Sequence, residues 1–403
     1  MILLFSDKKD CCGCGACAMI CPHHAIRLQP DEYGFIYPVI NPALCVECGA
    51  CFKVCNFKVP DTDKPLEVYA AQGKSNKIDH SASGGIFATL ASAVISEGGV
   101  AYGCALKQEE SQLSPVITAA YVYADLEALK GSKYVQSMTG DTYKEVRDML
   151  QNGVFVLYSG LPCQIAGLKG FLRKDYKNLL TIDIICHGTP NAKMFNNFVH
   201  TLEYPRNEVV RFNFRSKKYG WGKYVYAYTL RNIDSGKEDN FYRTAERSPY
   251  YRMFLEASIY RDSCYSCPFA SSNRVSDISI GDCWGVECEH PEYDRAKDGL
   301  MSFARGVSCV LINTRKGQNF YEKHIEDFIS YKVSFESVSL HNQQLNHPSV
   351  KHKNREKYLE AFKKNGYKGL VLCYYWHEWK NLLKEYISLC IPNRIKLYIR
   401  RYV

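Results

Sequence analysis

The sequence predicts an α+β chain, a small cysteine-rich module followed by a mixed α/β domain with a partly parallel sheet. Three observations predict it. The first 55 residues hold nine of the 19 cysteines. From Val68, apolar runs of strand length alternate with stretches of helical periodicity, the texture of βα units. After Leu202 the texture changes: EVVRFNFR, KYVYAYTLR and DNFYR alternate with period two around the turn Asp234-Ser235-Gly236.

The cysteines of residues 1–58 repeat one pattern. Cys11-x2-Cys14-x2-Cys17-x3-Cys21-Pro22 is followed by Cys45-x2-Cys48-x2-Cys51-x3-Cys55. This is the run that holds [4Fe–4S] clusters in bacterial ferredoxins, and its duplication predicts two clusters. Three thiolates spaced by two residues line a tight loop and bind one cube. The fourth, three residues on, reaches the other. Cys11, Cys14, Cys17 and Cys55 are therefore expected on one cluster, and Cys45, Cys48, Cys51 and Cys21 on the second. Gly13, Gly15 and Gly49 let the backbone turn closely around the sulfides. A zinc site needs only four ligands and prefers two separated CxxC pairs. Disulfides do not suit a start, MILLFSDKKDCC, whose apolar stretch is too short for a signal peptide. Asn56 stands where Pro22 stands in the first run, and Cys12 reads as a bystander.

Residues 59–67, with two prolines and four charges, read as a linker. Residues 68–330 then form the main domain, with an N-terminal part over 68–140 and a C-terminal part over 141–330. Strands are expected at VYAAQGK, VAYGCAL, ITAAYVYA, VFVLY, LLTIDII, SDISIGD and SCVLINT. Helices are expected over 85–97, 142–152, 164–172, 192–202, 248–260 and 318–329. Hydrophobic content of 46% and charged content of 23% suit an ordinary globular core. A net charge of +9 is modest for 403 residues, and no nucleic-acid motif is present, so no nucleic-acid partner is expected.

Four further cysteines form a second constellation. Cys163 follows the strand VFVLY and Cys186 follows LLTIDII, so both sit where strands end and helices begin. Consecutive strands of this kind are usually neighbours, which brings the thiols together. Cys264-Tyr265-Ser266-Cys267-Pro268 adds a CxxC. The four make either a third [4Fe–4S] site or two buried free thiols plus a redox or zinc CxxC.

Taken in chain order, the motifs resemble a family. Ser83-Gly84-Gly85, Gly131-Ser132-Lys133-Tyr134-Val135-Gln136-Ser137, Pro162-Cys163-Gln164, Cys186-His187-Gly188, Ser263 to Cys267 and Asp277 to Gly285 follow the two ferredoxin runs. The chain, from residue 1 to about 330, resembles the coenzyme F420 hydrogenase/dehydrogenase beta-subunit family. Cys283 before Trp284 departs from the aromatic residue expected there. The resemblance implies a flavin-binding domain behind the ferredoxin module, FAD as cofactor, and favours the third cluster. It implies an oxidoreductase passing electrons between [4Fe–4S] clusters and a flavin that reduces or oxidises an organic substrate, coenzyme F420 in the best-known members. The alternative is an electron-transfer subunit with no substrate of its own. Flavin contacts are expected from Ser83, Gly84, Gly85, Lys133, Tyr134, Gln136, Asp282 and Trp284. No catalytic acid, base or nucleophile stands out. The partners implied are a redox protein or ferredoxin and a small organic molecule.

Residues 331–403 read as a helical tail rich in basic and aromatic residues. A helix over 374–390 places Trp376, Trp379, Leu383 and Ile387 on one face, among Lys380, Lys384, Arg394, Lys396, Arg400 and Arg401. Such a helix suits an anionic membrane surface. The tail is expected either to pack on the chain's own core, the commoner outcome for such a segment, or to act at an interface and be dispensable for redox chemistry. No segment is apolar over the roughly 18 residues a transmembrane helix needs. Iron–sulfur chemistry and free thiols suit a reducing cytoplasm, with contact at the membrane surface through the tail.

Overall fold

The computed structural model describes residues 4–74, 78–109 and 112–390, with residues 384–390 described by their backbone alone. In the cysteine-rich module, β1 (Ile26–Pro30) and β2 (Ile36–Ile40) pair antiparallel, Ile26 opposite Ile40. Two short helices, Ala16–Ile20 and Ala50–Val54, follow the two cysteine loops. Each begins at a glycine in the left-handed region, Gly15 at φ 80° and Gly49 at φ 72°. A residue with a Cβ is strained there, and this is why glycine precedes each helix.

The main domain is built on an eight-stranded mixed sheet. Its strands in chain order are β3 (Glu67–Gly73), β4 (Val100–Glu109), β5 (Gln112–Ala120), β6 (Val156–Gly160) and β7 (Leu179–Ile184). A separate antiparallel sheet contains β8 (Asn207–Asn213), β9 (Val225–Asn232) and β10 (Glu238–Thr244). The large sheet is completed by β11 (Ile278–Asp282), β12 (Ser308–Ile312) and β13 (Phe328–Lys332). Its spatial order is β13-β3-β12-β11-β7-β6-β4-β5. The central run β11, β7, β6 and β4 is parallel, and the flanks are antiparallel. The partly parallel sheet expected from the sequence is therefore present.

Both faces of β6 are covered, so Val156 to Tyr158 form an apolar run. Val156 and Tyr158 enter one core with the helices Thr142–Gln151 and Pro162–Leu172. Leu157 enters the other with Leu90 and Val94 of the helix Ile86–Ser96. Two local differences from the sequence reading have clear causes. The strand expected at ITAAYVYA ends at Ala120, because the Asp125 carboxylate accepts from the amides of Tyr121 and Val122 and turns the chain. The helix expected through residue 329 stops at Lys323, and Phe328–Lys332 instead pairs with β3 as the sheet's edge.

The cysteine-rich module packs into the same core as the sheet. Ala16, Met19 and Val54 lie among Ile165, Ala166 and Phe171. The helix Pro162–Leu172 makes this approach possible with two glycines. A Cβ on Gly170 would lie 2.3 Å from the Val54 carbonyl oxygen, and one on Gly167 would lie 2.8 Å from Cys14 Sγ. Asn56, where the first run has proline, donates to the Ala166 carbonyl at 3.3 Å.

The C-terminal helix spans Arg355–Cys390 and breaks at Asn365 and Gly366. Tyr358, Leu359, Phe362, Tyr367, Leu370 and Tyr374 belong to a core shared with the second sheet. Buried Glu378 accepts from the hydroxyl of Tyr358 at 2.9 Å and from Asn354 Nδ2 at 3.2 Å. Leu372, Trp376, Trp379 and Leu383 are exposed. The side chains of Lys384 and Ile387, and all of Arg394, Lys396, Arg400 and Arg401, lie outside the described residues. No helix among the described residues is long and apolar enough to cross a membrane.

Two outcomes test this packing. Alanine normally stabilises a helix over glycine by about 1 kcal/mol. Gly170→Ala is expected to reverse that sign and cost roughly 1–3 kcal/mol, because the new methyl meets backbone; denaturant unfolding of the intact chain checks it. A chain ending at Lys368 loses Leu370, Tyr374 and Glu378 from the core. It is expected to lose at least the roughly 2–5 kcal/mol of a single large core deletion. An unchanged unfolding midpoint would return the tail to a dispensable role.

Candidate cluster sites

The structure gathers the module's eight expected ligands into two groups. Cys21 joins Cys45, Cys48 and Cys51 around one pocket, floored by Ala25, Ile26 and Ile40. The amide of Ala25 points at Cys21 Sγ, 3.4 Å away, and Cys48 is exposed. Cys11, Cys14 and Cys17 form the second group with Cys55: burial, and then the neighbouring thiols Cys14, Cys11 and Cys55, push the Cys17 thiol up. Each group takes its fourth member from the other run. The second group lies deeper, against Gly167 and Thr139, whose hydroxyl donates to the Cys14 carbonyl at 2.9 Å.

Cys163, Cys186, Cys264 and Cys267 line a third pocket, of about 550 Å³ including its open mouth. The topology explains the convergence. β6 and β7 are parallel neighbours with Gly160 opposite Asp183, so the loops after them emerge side by side. Cys163 begins the helix Pro162–Leu172, and Cys264 and Cys267 come from a turn over Asp262–Ser266 and its cap. Burial and the thiols of Cys264 and Cys267 push the Cys186 thiol up, against the amide of Gly188. Burial and Cys264 likewise push the Cys267 thiol up to about 11, against the amides of Phe269 and Ala270. Amides aimed at sulfur suit thiolates bound to iron. Gly188, at φ 134°, has no room for a Cβ, which would lie 2.3 Å from the Tyr260 ring. Among the described residues no three His, Cys, Asp or Glu converge tightly enough for a single metal ion.

Between the second and third groups lies a junction that the sequence did not announce. Cys12 is buried and lines the third pocket. Its thiol meets those of both Cys14 and Cys163. Gln136 donates from Nε2 to the Cys12 carbonyl at 2.8 Å, and its amide donates to the Pro190 carbonyl at 3.0 Å. Arg261 donates from Nε to the Cys11 carbonyl at 2.8 Å. Cys12, read as a bystander, touches ligands of two groups, and Gln136, expected on a flavin, braces a cysteine loop. Residues 12, 136 and 261 are too far apart in the chain for any spacing rule to join them.

The remaining residues expected on a flavin are scattered or already engaged. Gly84 and Gly85 are needed for internal packing: a Cβ would lie 2.5 Å from the Ala71 carbonyl oxygen at Gly84 and 2.3 Å from Ile78 at Gly85. Ser83 donates to the Val307 carbonyl at 2.8 Å. Burial pushes Lys133 down to about 8, and its ammonium donates to the carbonyls of Ala128 at 3.1 Å and Lys130 at 2.6 Å. The Tyr134 ring stacks on Phe254 at 4.6 Å. Asp282 is paired with Arg215 and accepts from Trp221 Nε1 at 3.0 Å. Trp284 stacks on Trp221 at 4.9 Å. Asp282, Trp284 and Tyr134 do share a neighbourhood around Arg215. The eight residues nevertheless form no single open surface that fits a flavin, and no step is derived through one.

Residues 155–333 match the family described as the C terminus of the coenzyme F420 hydrogenase/dehydrogenase beta subunit, and residues 10–59 match a 4Fe-4S dicluster domain. An uncharacterized protein of Methanocaldococcus jannaschii is 23% identical over 372 residues, covering 82% of this chain and 92% of the relative. A ferredoxin-like protein in the nif region of Sinorhizobium fredii is 41% identical over 46 residues, 11% of this chain and 64% of the relative. A chain of the F420-reducing [NiFe] hydrogenase complex from Methanosarcina barkeri superposes with a TM-score of 0.45 at 16% identity, over 72% of this chain and 90% of that one. Residues 155–333 are thus similar to the C-terminal region of the coenzyme F420 hydrogenase/dehydrogenase beta subunit, behind a 4Fe-4S dicluster domain at residues 10–59.

Proposed function

We propose that this iron–sulfur oxidoreductase carries electrons through three cysteine sets in series: Cys21/Cys45/Cys48/Cys51, then Cys11/Cys14/Cys17/Cys55, then Cys163/Cys186/Cys264/Cys267. The observation that carries the reading is the position of Cys12, which sits between Cys11 and Cys14 of the second set in the chain and lines the pocket of the third. Bound [4Fe–4S] clusters supply one-electron exchange. The chain's own residues hold the sets close, pack Cys14, Cys17, Cys163 and Cys267 against an apolar core, and leave Cys48 of the first set and Cys55 of the second exposed. Four residues separate Cys163 from Gly167, a span of about 6 Å along the helix, and Gly167 lies against Cys14. The first set, with exposed Cys48 beside exposed Leu44, Val46 and Phe52, is where a redox partner protein would meet the chain.

A second reading adds FAD and an organic substrate, as coenzyme F420 is in the family. What favours it is an open groove of about 960 Å³ between the 127–133 segment and the second sheet, lined by Lys130, Ser132, Lys133, Arg211, Asn213 and Asn240. That is the scale of a cofactor site, with polar groups for orientation. Anaerobic purification followed by cofactor extraction separates the readings. Released FAD, with turnover by the isolated chain, supports an enzyme; iron-loaded protein that holds and takes up no flavin leaves an electron-transfer subunit.

Two further outcomes are expected. Full-length protein should hold about twelve irons, and Cys267→Ala should remove about four while the dicluster spectrum persists; unchanged iron would make the third set structural. For the tail, exposed Leu372, Trp376, Trp379 and Leu383 follow helical spacing along one face. This supports peripheral contact with an anionic bilayer, where each nearby cation adds about 1 kcal/mol. Trp376→Ala with Trp379→Ala should weaken binding to anionic liposomes at low salt, and wild-type protein that ignores such liposomes excludes the contact.

A further inference from the structure

Four arginines are buried among the described residues: Arg215, Arg261, Arg274 and Arg355. Three are paired with a carboxylate. Arg215 meets Asp282, Arg274 meets Asp183 at 2.7 Å, and Arg355 meets Asp262 at 3.0 Å. Arg261, only 1% exposed, has no carboxylate partner among the described residues. Its hydrogen bonds go to neutral acceptors: the Cys11 carbonyl at 2.8 Å, the Ile36 carbonyl at 2.7 Å and Gln136 Oε1 at 3.3 Å. The guanidinium lies over the Tyr37 ring at 4.0 Å. A buried cation without an anion is strongly unfavourable.

Its position says which anions it faces. Through the Cys11 carbonyl it contacts the loop of the Cys11/Cys14/Cys17/Cys55 set. A Cβ on Gly13 of that loop would lie 3.0 Å from Arg261 Nη1. The same side chain lines the pocket of Cys163, Cys186, Cys264 and Cys267, and the Arg261 carbonyl accepts from the Cys264 amide at 3.0 Å. One unpaired charge therefore faces two sites whose thiolate-bound clusters are anionic.

We propose that Arg261 is a positioning residue that serves as the shared counter-charge of the two inner clusters, raising both reduction potentials and screening their mutual repulsion. The inference rests on the proposed third cluster. Adding an electron makes a cluster more negative, so a fixed cation favours the reduced form of each. The outermost set, Cys21 with Cys45, Cys48 and Cys51, lines a pocket to which Arg261 does not contribute.

The test is a potentiometric titration of the loaded full-length protein, followed by electron paramagnetic resonance, for wild type, Arg261→Met, Arg261→Gln and Arg261→Lys. In the Met and Gln variants the reduction constants of the two inner clusters should each fall at least tenfold, a shift of about 59 mV to lower potential for a one-electron couple. The outer cluster should not move, and Lys should retain most of the wild-type potential. Full iron with unmoved inner potentials overturns the proposal, as does movement of only one. If Met and Gln fail to load the inner sets while Lys loads them, the charge requirement is upheld. If Lys fails as well, the role is one of shape and the proposal falls. A wild-type protein with about eight irons instead of about twelve fails the three-cluster reading itself, a separate result read before any variant.

Discussion

The arrangement depends on one close approach, that of the helix Pro162–Leu172 to the cysteine-rich module. Two glycines allow it: Gly167 admits Cys14, and Gly170 admits the backbone at Val54. The first turn of that helix carries Cys163, a member of the third cysteine set, so a rigid helix fixes the separation of two sets in different parts of the sequence. The module is not tethered by the 59–67 linker alone. It shares a core with the sheet, and the short hydrogen-bonded contacts of Asn56, Thr139 and Gln136 set its orientation.

Electrostatics follow from this burial. Burial first, and then the neighbouring thiols, push Cys17 and Cys186 up. Iron supplies positive charge, and its binding must release the protons. Arg274, paired with Asp183, lines the third pocket, and Arg355, paired with Asp262, acts on Cys264, both with their charge already matched. Arg261 stands between two pockets with its charge unmatched, and this asymmetry gives it a different role from its neighbours. His187 lines the same pocket, where burial pushes its pKa down against the opposing pull of Asp282.

Much of this was legible where chemistry is local in sequence. The exchange of fourth cysteines follows from the run itself, because a helix carries Cys21 and Cys55 away from their own loops. The meeting of Cys163 and Cys186 follows from adjacent parallel strands. What could not be read is what distant segments do to one another. Cys12 has no spacing partner, and only docking places it against Cys163. Arg261 looks like any arginine beside an aspartate until Asp262 is seen paired with Arg355. Ser83-Gly84-Gly85 looks like a phosphate turn, yet its glycines answer to Ala71 and Ile78. The tail's aromatic residues divide by face, Tyr367 and Tyr374 inward, Trp376 and Trp379 outward, and composition alone treats them alike.

The central claim is that a third cluster sits directly against the inner cluster of the dicluster module. Electron paramagnetic resonance of the fully reduced, full-length protein tests it most directly. The account predicts a spin-coupled spectrum from three clusters, which simplifies to the dicluster pattern when Cys186→Ala removes the third set. A wild-type spectrum already identical to the dicluster pattern, with about eight irons per chain, would contradict it.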